Sequence, residues 1–167
     1  MSSRCTPSLA LALCVALASS AACAKKEKAA GCSGTLSGAV TGSFTCKVAS
    51  RQRGSGAVQI SLTPEKLPDS VTAFMPGEIE IPAPVQKKAY PLAALGKVTT
   101  LLTTTGHQTF VVKKGKKDEP QGDLTLAVEK LEAGDDPHGP LRVSGTLKAR
   151  LVATPGAEGE VLVEMKF

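Results

Sequence analysis

The chain has 167 residues, 42% of them apolar and 3% aromatic, with no Trp and a formal charge of +5. That length suits one domain with a single core, which must be built from Val, Leu, Ile and Ala rather than from rings. The composition offers no cations interleaved with stacking aromatics, so nucleic acid is excluded as a partner. The small positive excess suits solubility, and the charged partners it would favour are anionic lipid or polysaccharide.

Met1 to Ser8 carries one cation, Arg4; Leu9 to Ala18 is an unbroken apolar run; Ser19 to Ala22 is small and weakly polar. This order is that of a secretory signal peptide over residues 1–22. A ten-residue helix is about 15 Å long, half of a ~30 Å hydrocarbon core, so the run is too short for a stable transmembrane helix. Loss of the leader would leave about 145 residues (167 less 22) and, with Arg4 gone, a charge of about +4.

The leader ends Ser20-Ala21-Ala22-Cys23. Small residues directly before a cysteine resemble the lipobox of bacterial lipoprotein precursors, with Ser20 standing where that family usually carries Leu, Val or Ile. The resemblance spans about the first 24 residues. It implies that Cys23 is the lipid acceptor, carrying acyl chains such as palmitate, and that Ala24, rather than Asp, directs the protein to an outer membrane. Cleavage near the alanine pair with no acylation is the other reading, and it gives a soluble secreted or periplasmic protein. Residues 23–31 then form the acceptor and a polar, Lys-rich tether, followed by one β domain over 32–167.

Cys5 and Cys14 depart with the leader and Cys23 is consumed by acylation, so Cys32 and Cys46 remain to form a disulfide in an oxidising envelope. A loop of about 15 residues closed in this way contributes roughly 3 kcal/mol. One pattern opposes it: Leu36, Gly38, Val40, Gly42, Phe44, Cys46 and Val48 continue a single period-2 face, and one long strand would hold the cysteines far apart. Gly38 and Gly42 favour a turn between them.

Further along, Ala57 to Thr63, Val71 to Met75, Glu78 to Ile81, Val98 to Thr104, Thr109 to Lys113 and Asp123 to Val128 read as short strands. Pro82, Pro84 and Pro91 mark an edge connection, with a helical turn at Leu92 to Leu95. Leu141 to Leu151 and Val161 to Phe167 alternate most clearly, and residues 154–159 between them suit a terminal hairpin. The expected fold is all-β: an antiparallel sandwich or small barrel of about eight or nine strands. The last strand, ending in Phe167, resembles that of outer-membrane β-barrels, but five aromatics are too few for two interfacial girdles.

Chemistry-bearing motifs are scarce. HExxH, paired CxxC, GxSxG and SxxK are all missing, and neither His107 nor His138 stands in ligand spacing. Gly54-Ser55-Gly56 reads as a turn, and Glu132 to Gly139 lacks the oxygen spacing of an EF-hand. Lys113, Lys114, Lys116 and Lys117 form a charged tip that discourages edge pairing or touches an anionic surface. The expectation is a non-enzymatic envelope lipoprotein without a cofactor, structural, adhesive or ligand-binding, engaging the membrane through its lipid and a protein partner not specified by any motif. The alternatives are a soluble binding domain and a hydrolase whose paired carboxylates leave no motif.

Overall fold

The computed structural model describes residues 30–114, 120–132 and 141–167. The leader, Cys23, residues 24–29, Lys116, Lys117 and His138 lie outside the described residues.

Alternation builds the strands, and turn residues separate them. β1 (Ala30–Gly38) and β2 (Gly42–Gln52) form a hairpin that splits the long period-2 face, with Gly38 at φ 97° on its turn. Ala30 and Gly31, assigned to the tether from sequence, already pair with Val48 and Lys47. β3 (Val58–Lys66) follows, and then β4 (Val71–Met75), β5 (Glu78–Ile81) and the short β6 (Ala89–Pro91), which leads into a 3-10 turn at Leu92–Ala94. β7 (Thr99–Thr104), β8 (Thr109–Lys114), β9 (Pro120–Gln121), β10 (Asp123–Glu132), β11 (Arg142–Ala153) and β12 (Glu160–Lys166) complete the chain. No α-helix occurs among the described residues.

All pairings are antiparallel, in the order β4-β7-β8-β11-β12-β1-β2-β3-β5, and the sheet curls into a half-barrel of about nine strands. β11 and β12 are the expected terminal hairpin, and β12 returns to pair with β1. β11 is long enough to serve two partners on its other edge: β10 along Arg142–Arg150 and β8 at Val152 and Ala153. Gly122 (φ 78°) makes the switch, since a Cβ there would meet the Arg150 and Val111 carbonyls. The edge of β5 is covered, because Glu80 N–H donates to the Lys97 carbonyl and Gly96 N–H donates to that of Glu80.

The concave side holds one aliphatic core. Val58, Ile60 and Leu62 of β3, Leu147, Ala149 and Leu151 of β11, and Val161, Val163 and Met165 of β12 all point into it. All five aromatics of the chain, Phe44, Phe74, Tyr90, Phe110 and Phe167, are buried there as well. Phe44 and Phe74 bridge the cavity edge to face at 5.0 Å, a favoured ring geometry. The outer face carries Lys148, Arg150, Glu164 and Lys166 instead. This is the reverse of a membrane barrel, whose apolar residues face outward.

β10 bulges between Val128 and Lys130 opposite Gly145, where a Cβ would collide with the Ala127 carbonyl. Gly145→Ala should therefore cost about 1–3 kcal/mol in urea unfolding of the oxidised protein, the usual range for forced overpacking. Gly54→Ala, where a Cβ meets nothing within 4 Å, should stay within about 0.5 kcal/mol of the parent.

Candidate functional site

The tight β1–β2 hairpin sets Cys32 directly opposite Cys46, with Cα atoms 4.9 Å apart, and the two are joined by a disulfide. Both are buried, and Met165 of β12 places its Sδ 3.5 Å from Cys46 Sγ. The sulfur cluster thus ties three adjacent strands on the core side. It is a structural element, since no solvent path reaches Cys46, which has 0% exposure.

The predicted lysine cluster divides. Lys113 is exposed, whereas Lys114 turns inward and donates its ammonium to the carbonyls of Ala93 (2.8 Å) and Leu95 (2.7 Å). The 3-10 turn leaves those carbonyls without strand partners, and Lys114 caps them. Nothing in the local sequence signals this, because the contact comes from the fold. His107 is exposed at the β7–β8 turn with φ 60°, and the Ser55 hydroxyl accepts from Ala57 N–H at 3.4 Å within the β2–β3 turn. Neither has a catalytic partner. Among the described residues no group of three or more His, Cys, Asp or Glu side chains is placed to hold a metal ion.

A recess of about 560 Å³ lies on the outer face, where β11, β12, β1 and β2 run side by side. Register explains its shape. Ser33 and Thr35 of β1 stand beside Thr45 and Ser43 of β2, so short hydroxylated side chains make a trough down the middle. Long ones make a wall: Lys148 and Glu164, adjacent across β11 and β12, pair at 2.8 Å. Lys47 pairs with Glu65 on the other side, and Arg150 with Glu160 at 3.4 Å further along. The trough can donate and accept hydrogen bonds through its hydroxyls, and Phe44, Leu147 and Met165 add apolar surface to its lining. Its carboxylates face cations rather than one another, unlike the carboxyl pair of a glycosidase. Its residues come from four strands, so no contiguous motif could have revealed it.

A second, smaller cleft of about 290 Å³ lies at the β2–β3 tip between Arg51, Gln52, Arg53, Gly54 and Gln59. Arg53 donates from Nη2 to Gln59 Oε1 at 2.6 Å, and its Nε lies 3.6 Å from Glu80. No family model, curated protein or solved structure matches the chain.

Two stability differences follow from these contacts. The Cys32→Ala/Cys46→Ala protein should lose about 3 kcal/mol relative to the oxidised parent in denaturant unfolding, the chain-entropy value for such a loop. Lys114→Met should cost about 1 kcal/mol, whereas Lys113→Gln should be neutral within about 0.5 kcal/mol, although the two residues are neighbours in one basic run.

Proposed function

We propose that this is an exported cell-envelope protein, anchored by lipid on Cys23 at the outer membrane, whose β domain acts as a non-catalytic binding or structural module. The observation that carries the reading is the cysteine arrangement. Cys32 and Cys46 are joined to each other, which leaves Cys23, directly after the small-residue run, as the cysteine available for acylation once the leader is gone. A buried disulfide in so small a domain fits an oxidising compartment. The trough, lined by hydroxyls together with Phe44, Leu147 and Met165, supports ligand binding over a purely mechanical role, with a group that offers both apolar surface and hydrogen bonds as its best complement.

Acyl chains contribute about 0.8 kcal/mol per buried methylene, so more than one chain holds a protein on a bilayer while the domain alone has no such hold. In about 1 M salt, which screens any attraction to headgroups, the precursor with Cys23→Ser should therefore move from the membrane pellet to the soluble fraction after cell lysis, with its fold unchanged, while the parent stays in the pellet. Equal partition of parent and variant into the soluble fraction would refute anchoring and leave the secreted binding domain.

A further inference from the structure

We infer that the tip of the β2–β3 hairpin, through Arg51 and Arg53, rests on anionic phospholipid headgroups of the membrane to which Cys23 is attached; the inference builds on the anchoring proposed above. Three features of the fold lead to it.

The first is reach. β1 starts at Ala30, opposite Val48, and β2 continues past that level to Gln52. Four further residues at about 3.3 Å each carry the hairpin roughly 13 Å beyond the first residue of β1. It projects toward the side from which the preceding chain arrives. β12 stops short at the same end, with Lys166 level with Ser33. From Cys23 to Ala30 the chain spans at most about 25 Å when extended, so a tip projecting 13 Å plus an arginine side chain can bridge the gap to the anchoring surface.

The second is charge. Arg51 and Arg53 are exposed, and only Arg53 has an ion pair among the described residues, a long one with Glu80. Gly56 of the turn lies against Ala83, which brings the segment containing the exposed Lys87 and Lys88 to the same end. On β10, Glu129 and Glu132 also lie at this end, but Lys130 sits between them and Arg142 stands opposite Glu132. At the far end acids and cations are mixed: Asp69, Asp123, Glu158 and Glu160 lie with Lys66, Lys113 and Arg150, and Glu160 is paired with Arg150. An anionic surface therefore attracts the anchor end through the exposed Arg51, Arg53, Lys87 and Lys88.

The third is the cleft itself. Arg51, Arg53 and Gln59 are among the residues that line a space of about 290 Å³, and Arg53 is held there by its bond to Gln59. Phosphate oxygens suit forked guanidinium donors.

The test uses the full mature chain bearing Cys23→Ser, so that vesicle binding reports the domain alone and intact mass of the parent reports acylation separately. Binding to phosphatidylcholine vesicles with and without phosphatidylglycerol is measured by co-sedimentation. Binding should require phosphatidylglycerol, vanish in about 1 M salt where the Debye length is ~3 Å, and fall roughly 30-fold in Arg51→Gln/Arg53→Gln, the effect of about 1 kcal/mol for each arginine near the surface. Lys66→Gln/Lys113→Gln, which removes equal charge from exposed positions away from the tip, should bind like the parent. Equal loss in both double variants would mean net charge alone is read and would overturn the inference, as would unchanged binding in the arginine variant. Displacement by millimolar inorganic phosphate would assign the cleft to a free anion and overturn it too.

Discussion

Everything in the domain depends on strand β1 being held on both edges. β2 pairs with it on one side and β12, from the opposite end of the chain, on the other. Without β1 the path breaks into β2-β3-β5 and the remainder, and the core they share would open. The Cys32–Cys46 bond pins one of these edges covalently, and the Met165 contact brings the other to the same point. A contribution of about 3 kcal/mol is a large fraction of the 5–15 kcal/mol that holds a typical domain. The β1–β12 pairing also joins residues more than a hundred positions apart, which makes folding slow and gives an early covalent hairpin added value.

The scarcity of aromatic residues decides what the surface can recognise. Every ring the chain possesses is spent on the interior, where Phe44 and Phe74 meet across the half-barrel and Tyr90 exchanges hydrogen bonds with the Gln86 backbone. The outer face is left mainly with hydroxyls, amides and charges, with Leu162 of β12 a large apolar side chain exposed among them. Glu65, Glu160 and Glu164 are each matched by a Lys or Arg one strand away. Such a surface favours recognition through hydrogen bonds and electrostatics, at shallow sites that span several strands.

Much of the fold was legible in the sequence. β3, β5, β11 and β12 follow directly from apolar residues at alternate positions, and the hairpin loop at residues 154–159 falls where expected. β10 extends past Val128 to Glu132 because the bulge resets the alternation. The turn at residues 39–41 was hard to place, since the apolar face runs through it unbroken and only Gly38 and Gly42 signal the reversal. β6 and β9 are too short to carry a period and exist because neighbouring strands offer free edges. The site was less legible than the fold. The disulfide could be inferred by counting, but the inward turn of Lys114, the trough and the arginine cleft each depend on residues brought together from separate strands or turns.

If the chain is anchored through Cys23, load from the membrane enters β1 at its first residue and passes within two positions into Cys32, and so covalently into β2. The sheet is then loaded through a central strand rather than peeled from an edge. The pairing of the cysteines is the claim on which this depends, and peptide mass mapping of the unreduced protein from the cell envelope tests it most directly. It should give one linked peptide pair containing Cys32 and Cys46 and an N-terminal peptide with acylated Cys23. A disulfide from Cys23 to either partner, or free thiols at 32 and 46, would contradict it.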